Sequence, residues 1–543
     1  MKANCNKSAI ASLETPRYPW ETMLFPAIAP RPIRSLAAVL CGTVLLSACA
    51  GGPDNDPVLN ARMKTMFEAI YSETADVHID PVDLPTFTRT GLNAFKSIEP
   101  ALEPEIDERT LVLKYEDGPI YTNYLTVETN KPTYWADMVT QAVRQSRIAS
   151  KTFADASEED YYETFADAAL AGLDRFSRYA NPRDAAALKA ERIGFGGIGI
   201  EIESHPDGAR IDEVEPGKPA AAAGLLVGDR IAAIDGSSIR NLPLRTITDK
   251  LRGPVDTAVS LTIRRDGLPN PLSVEVGRTQ IVPNTVFLSR INDHAVIRIS
   301  SFNERTSKRI AEAVSQARNE TGTALTGLIV DLRGNLGGLL DQAVDSADLF
   351  LDAGLISRAD GRHPRSHQRF EAEPGDIADG LPVVVLINGA SASAAEILAA
   401  ALQDHGRAVL VGMNSFGKGS IQTVIDMPNG GELYITWARF MAPSGYALDR
   451  LGIMPTVCTS GATDAVTTLD TALSSGPEGA RTMLDRRRRA TAADQKAAKA
   501  ILSLCPWRPH ASGDIDIGIA ELLLDSPALM RRALDIGRFA DAS

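Results

Sequence analysis

Ser393 precedes Lys418 by 25 residues, and Gln422 follows four residues later. An apolar run, Val383-Val384-Val385-Leu386-Ile387, leads into Asn-Gly-Ala-Ser-Ala-Ser393-Ala-Ala-Glu396-Ile. The pattern predicts a buried strand that delivers the serine to the first turn of a helix. Lys418 lies between two glycines in Phe416-Gly-Lys-Gly, just after a second apolar strand at 408–411. A serine hydroxyl beside an unprotonated lysine is a nucleophile with its general base, the apparatus of acyl transfer. A base lysine must be neutral, so it needs desolvation that lowers its pKa by several units, which an apolar, glycine-tight neighbourhood supplies. In an extended segment Gln422 faces the same way as Lys418, so its amide oxygen could accept from the ammonium and hold it.

Each of these residues also has a structural reading. Ser393-Ala-Ala-Glu396 fits a capping box, in which both side chains merely satisfy free amides at a helix start. Ser391 is a second candidate for nucleophile or cap. Lys418 reads equally as a solvated surface lysine, and Gln422 as an ordinary polar strand residue. The oxyanion formed on attack needs two aimed N–H donors. Ala394 N–H offers one at a helix N-terminus, where the dipole also favours negative charge. Gly337-Gly338, at another strand-to-helix turn, offers the second, or is simple turn chemistry. Histidine organises no rival site: His405 ends the helix that Ser393 begins, roughly three turns away. His363 and His367 fall in a polar loop, and no Gly-x-Ser-x-Gly elbow surrounds Ser393.

The elements that must hold these groups belong to a chain of 543 residues, 44% hydrophobic, which suggests several domains. A net charge of −13 argues against nucleic acid as a partner. No apolar run after position 60 is long enough to span a bilayer. Near the N-terminus, Arg31 and Arg34 precede a short apolar core, Leu36 to Ala48, that fits a secretion signal. Leu46-Ser47-Ala48-Cys49 resembles a bacterial lipobox, which implies cleavage before Cys49 and diacylation of its thiol; an ordinary secretory signal is the competing reading. Either Met1 or Met23 is the start. Export would leave Cys458 and Cys505 in an oxidising compartment, as one disulfide or as two buried thiols. No histidine or cysteine spacing suggests a metal, and no cofactor is expected.

After the tether at 49–57, helical spacing runs through Met63, Met66, Phe67, Ile70 and Tyr71, with further helices at 92–98, 134–144 and from Ser157. Phe176 falls on the apolar stripe of the last. Alternation at 111–127, with Asp117-Gly118 as the turn, predicts a β insertion in this helical N-terminal domain, 58–190. Glycines and short strands then dominate: Gly194-Phe-Gly-Gly-Ile198-Gly-Ile200, Ala223-Gly-Leu-Leu-Val-Gly-Asp229, and a helix at 244–251. Together these resemble a PDZ domain, 191–278. The resemblance implies that Gly197, Ile198, Gly199 and Ile200 form a carboxylate-binding loop, with the next strand edge pairing an extended peptide. Leu244, Ile247 and Leu251 share a helix face and either line the pocket for the last side chain or are plain core. From 279 to 460 strands and helices alternate, which argues for an α/β domain. Residues 353–381 read as a polar loop. A helical region, 461–543, closes the chain, and its basic run Arg486–Arg489 reads as a solvated face, with phospholipid contact as a minor alternative.

Asp331-Leu-Arg-Gly-Asn-Leu-Gly-Gly, Gly389-Ala-Ser-Ala-Ser-Ala-Ala-Glu-Ile and Ser415-Phe-Gly-Lys-Gly-Ser-Ile-Gln resemble motifs of the carboxyl-terminal processing peptidases, or tail-specific proteases. Ala442-Pro-Ser-Gly and Gly452-Ile-Met-Pro are similar too. The likeness runs from about 160 to 457. It implies a multidomain α/β chain, with a ClpP/crotonase-like protease core, an inserted PDZ domain and helical flanks. It also implies Ser393 as nucleophile, Lys418 as base and Gln422 as its orienting partner. Ala395 and Leu336 depart from the pattern, at positions where a small polar residue and a proline are expected. The partners implied are unstructured, apolar C-terminal tails of envelope proteins and, through Cys49, a lipid bilayer on the periplasmic side, with the outer membrane favoured; an adaptor protein is left open. Two rival functions are a catalytically inactive PDZ-containing binding lipoprotein and an acyl-CoA enzyme on the related fold.

Overall fold

A computed structural model describes residues 56–539 except 127, 476–478, 492–494 and 509–513. The leader, the Cys49 lipobox, most of the tether and both start methionines lie outside the described residues.

The catalytic candidates hang from a sheet of strands Val286–Ile291, His294–Ile299, Gly327–Asp331, Val383–Ile387, Ala408–Gly412 and Val457–Cys458, in that spatial order. The first two form an antiparallel hairpin, and the rest run parallel. A parallel sheet covered on both faces needs strands apolar on both sides, which is why Val383–Ile387 reads as an unbroken apolar run. Val383, Val385 and Ile387 face a core shared with helices Thr306–Thr321, Leu340–Asp348 and Ala394–Asp404. Val384 and Leu386 face the other way, into a core made by Ala465–Leu473, Ala480–Arg489, Ile515–Leu524 and Pro527–Gly537. The C-terminal helices are thus the second cover of this sheet.

A second sheet carries strands Gln368–Ala372, Gly354–Asp360, Glu432–Met441 and Ser420–Asp426, with Arg178–Ala180 also pairing Glu432–Met441. Two of these strands occupy the stretch expected as a polar loop. Their alternation is short and broken by charged outward positions such as Arg358 and Arg369, while Ile356 is fully buried. The N-terminal helices pack one core that also takes in Leu433 and Ile435 of this sheet. The helix expected at 92–98 instead runs Leu84–Ala94 and ends in a short 3₁₀ turn, Phe95–Ser97. The β insertion is a three-stranded sheet, Leu102–Ile106, Thr110–Tyr115 and Gly118–Tyr124.

Residues 198–276 supply a separate core under the strands Leu272–Gly277, Ala258–Arg264, Arg230–Ile234, Gly208–Val214 and Ile200–His205. The last is an edge strand among the described residues. Phe195–Gly197 and Thr279–Ile281 pair antiparallel where the chain enters and leaves this unit.

Candidate active site

Ser393 sits at the junction of strand and helix with φ 57° and ψ −115°. That backbone costs a non-glycine residue about 1–3 kcal/mol, and such strain gathers at functional sites. Ser393 and Glu396 take up the capping-box arrangement: Ser393 N–H donates to Glu396 Oε2 at 2.7 Å, and Glu396 N–H donates at 2.8 Å to the Ser393 carbonyl oxygen. Ser391 is committed elsewhere: it is buried, accepts from Asn388 N–H at 2.9 Å and donates to the Leu332 carbonyl at 2.8 Å. Of the two serines, only Ser393 faces the cavity of about 410 Å³ that Lys418, Gln422 and Gly338 also line.

Lys418 enters that cavity from the loop between Ala408–Gly412 and Ser420–Asp426. Its Nζ lies 5.1 Å from the Phe176 ring centroid. Among the described residues Nζ has no hydrogen bond or ion pair, and none joins it to Ser393 Oγ. Burial pushes the amine below its ordinary pKa, and the Arg178 and Arg175 guanidiniums push the same way against Glu396 and Asp174. Phe176 was expected on a core stripe, but the helix stops at Ala171 and the ring lines the site instead.

The two arms meet at Glu396, which sequence reading treated only as a cap. It is fully buried and accepts from Ser393 N–H, Ser415 Oγ, Gly417 N–H at 2.8 Å and Lys418 N–H at 2.9 Å. Burial pushes its carboxyl up, and these donors oppose the shift. A serine-side cap and a lysine-side loop therefore share one carboxylate. The signal was present in the spacing, but only the fold brings Gly417 and Lys418 to it.

Gln422 Nε2 donates to Ser420 Oγ at 3.1 Å and to Thr436 Oγ1 at 3.4 Å. Its amide oxygen is unengaged among the described residues, so the expected contact with Lys418 is not made in this state. Of the three expected oxyanion donors, Gly337 N–H is already given to Asn335 Oδ1 at 2.8 Å. Ala394 N–H and Gly338 N–H have no acceptor among the described residues. Gly338 has φ 149°, and a Cβ there would stand 2.0 Å from the Phe302 carbonyl oxygen, so no other residue fits. His405 Nε2 bonds to the Leu355 carbonyl at 2.8 Å, a structural role.

In the PDZ-like unit, Ile198 and Gly199 N–H groups have no acceptor among the described residues. Gly199 has φ 81°, and a Cβ would run into Lys218 Cβ at 2.3 Å. Gly197 ends the short strand before this turn, and Ile200 begins the edge strand after it. Ile247 and Leu251 are buried with Ile198 in the unit's core, and Leu244 is partly buried against them. Core packing therefore accounts for two of the three expected pocket residues.

Cys458 and Cys505 form a disulfide with Cα atoms 5.9 Å apart. It holds the C-terminal region against the site: the Cys505 carbonyl accepts from Asn414 N–H, and Trp507 packs on Gly389. The basic run is solvated only at Arg486 and Arg489. Arg487 is buried, donates to the Gly452 carbonyl at 2.9 Å and lies 4.5 Å from the Tyr446 ring, while Arg488 pairs with buried Asp404. Helical periodicity turns two of four consecutive arginines inward, which a charge count does not reveal. No helix among the described residues is long and apolar enough to cross a membrane.

Residues 293–459 match the model of peptidase family S41, and 187–264 match that of the PDZ domain. The chain is 37% identical over 313 residues to a carboxy-terminal-processing protease of Bartonella bacilliformis, covering 57% of this chain and 72% of the relative. It is 34% identical over 309 residues to a carboxyl-terminal-processing protease of a Picosynechococcus species, covering 55% and 73%. A solved structure, the photosystem II D1 C-terminal processing protease, aligns with a TM-score of 0.36 at 24% identity, covering 72% of this chain and 92% of that one.

Proposed function

The chain belongs to peptidase family S41, among its carboxy-terminal-processing proteases, and we propose that Ser393, Lys418 and Gln422 carry out its peptide-bond hydrolysis. It is a serine peptidase with a PDZ domain. In the proposed reaction the PDZ unit captures an apolar tail: Ile198 and Gly199 N–H groups meet the terminal carboxylate, and the tail adds a strand at the Ile200–His205 edge. The chain then threads to Ser393. Neutral Lys418 takes the hydroxyl proton as Oγ attacks the scissile carbonyl, and the oxyanion is held by Ala394 and Gly338 N–H groups. The lysine ammonium returns its proton to the leaving amine. Water, deprotonated by the same amine, then hydrolyses the acyl-enzyme.

One observation carries this reading: a serine on a strained turn, a lysine of depressed pKa without an ion pair among the described residues and two unengaged N–H donors line one cavity. The missing Ser393–Lys418 hydrogen bond fits an enzyme without substrate, since such contacts tighten on binding. An inactive binding lipoprotein would have no use for this convergence. Incubation with an apolar-tailed protein tests the proposal. Ser393→Ala and Lys418→Ala should each abolish cleavage while tail binding persists, and undiminished cleavage by either overturns it.

The substrates we infer are cell-envelope proteins, reached from the periplasmic side through a lipid on Cys49; an adaptor is not required by this scheme. The secretion-type leader, the lipobox and the disulfide support this location. Radiolabelled palmitate should enter the wild type and not Cys49→Ser, and equal labelling of both would refute the anchor.

A further inference from the structure

Asp174 lies outside the helix Glu158–Ala171 and makes no hydrogen bond to the proposed reacting groups among the described residues, although its charge raises the Lys418 pKa. It nevertheless gathers five donors. Oδ1 accepts from Phe176 N–H at 2.7 Å, Ser177 N–H at 2.9 Å and Thr436 Oγ1 at 3.0 Å. Oδ2 accepts from Ser177 Oγ and bonds His78 Nε2 at 3.2 Å. Thr436 N–H in turn donates to Ser177 Oγ at 3.0 Å, so the turn at 174–177 is stitched to the strand Glu432–Met441. That strand pairs with Ser420–Asp426, and Thr436 is the direct cross-strand partner of Gln422.

We propose that Asp174 and Thr436 are positioning residues for Lys418, acting by two routes that start at one carboxylate. The proposal rests on the reading of Gln422 as the partner of the base. The first route is set by hydrogen-bond polarity. A threonine hydroxyl has a single proton. An ionised carboxylate only accepts, so that proton goes to Asp174. Thr436 Oγ1 can then meet Gln422 only as an acceptor, which selects the Nε2 end of the amide, as the 3.4 Å contact has it. The Oε1 end is left for the lysine. A neutral amine carries two N–H donors and one lone pair. With one N–H given to Gln422 Oε1, its lone pair is restricted in direction and can be aimed at the serine proton.

The second route is steric. Asp174 fixes the Phe176 backbone through its N–H, and the Phe176 ring walls Lys418 Nζ at 5.1 Å. That ring covers one side of the amine against water. Burial alone would push the Asp174 carboxyl up, but donors from His78, Ser177 and the Phe176 amide hold it well below the usual carboxylate range, so it stays an acceptor. His78 reaches it from the C-terminal end of the helix Pro57–Val77, which places the first helix of the N-terminal domain in the same network.

A double-mutant cycle on Gln422 and Thr436 tests the proposal, read as kcat and KM on a fluorogenic peptide with an apolar tail. Thr436→Val keeps the shape and removes the hydroxyl; it should lower kcat about tenfold with KM little changed, because a misaimed base costs rate rather than binding. Thr436→Ser, which keeps the hydroxyl, should recover most of that loss. Gln422→Ala with Thr436→Val should be no slower than Gln422→Ala alone, since the threonine acts through the amide. Asp174→Asn should lose more kcat than Thr436→Val on the alkaline plateau, where Lys418 is neutral in every variant, because it weakens both routes; below that plateau, losing a carboxylate that raises the lysine pKa acts the other way. Melting temperature and tail binding of each variant report folding. The inference fails if Thr436→Val turns over like the wild type, or if the Gln422 and Thr436 losses multiply. It also fails if Gln422→Ala is fully active while Ser393→Ala and Lys418→Ala are dead, an outcome that leaves the proposed dyad intact. Cleavage by Ser393→Ala would instead remove the reading on which the inference rests.

Discussion

The two arms of the site are held in different ways. Ser393 is fixed by backbone: a strained φ, an amide bonded to a buried carboxylate and a neighbour, Ala394, that lines the cavity with its N–H unengaged among the described residues. Lys418 is fixed by backbone only up to its Cα, where its N–H meets the same carboxylate. Its ammonium end has no hydrogen bond among the described residues and rests against an aromatic ring. In the proposed mechanism the nucleophile and its oxyanion donors are thus organised before substrate arrives, while the proposed base is partly desolvated but not yet aimed. The difference is physical. A backbone amide is rigid once its turn is formed, whereas four side-chain rotors must be ordered for a lysine, at a cost in entropy. A bound peptide strand can supply that ordering.

Three changes would break or sharpen this contrast. Glu396→Gln strikes both arms, because an amide cannot accept all four donors that the carboxylate now satisfies. We expect kcat to fall about 100-fold, measured against the melting temperature of the same variant. An unchanged kcat would show that the arms are held independently. Arg178→Ala acts on the lysine arm and leaves the Ser393 turn alone, though it also gives up the stacking of the guanidinium on Tyr434. Burial lowers the Lys418 pKa first and Arg178 adds to it, so removing the cation lets the amine keep its proton to higher pH. In the proposed mechanism the neutral amine is the active form, so kcat/KM should rise with pH through the lysine titration. The acidic limb should therefore move to higher pH in Arg178→Ala, with a few-fold loss at neutral pH and convergence with the wild type in alkali. A shift to lower pH would contradict the assigned base. Ser391→Ala has the smallest expected effect on rate. It removes two buried hydrogen bonds and should cost about 1–3 kcal/mol of stability by chemical denaturation. Turnover of the folded fraction should stay within a few-fold, because this serine supports the loop and does not react.

The parts legible in the sequence are those with a local signature. The all-apolar strand Val383–Ile387, the serine after it and the glycines flanking Lys418 each state a requirement within a few residues. So do the unengaged turn at Ile198 and Gly199, and Ser157, whose capping box forms with Asp160. Illegible were the groups whose role depends on a distant partner. Phe176 follows an apolar stripe and looks like core, yet it walls the lysine because the helix ends five residues earlier. Thr436 is one of several strand threonines until the pairing of Ser420–Asp426 with Glu432–Met441 sets it opposite Gln422. Arg487 sits in a basic run and is nonetheless buried, donating to the carbonyl of Gly452 beside the lysine loop.

What the sequence alone determined was the chemistry on offer and the elements that present it. Residue type sets which groups can attack, take a proton or leave an amide bare, and periodicity sets which face of a strand or helix they occupy. The tertiary structure decided which of them meet. It gave one carboxylate, Glu396, to both arms, made the C-terminal helices the second cover of the catalytic sheet, and linked Asp174 to Gln422 through Thr436. Those contacts join residues up to hundreds of positions apart. Hydrogen bonds depend on distance and direction in space, and only the closed fold fixes either.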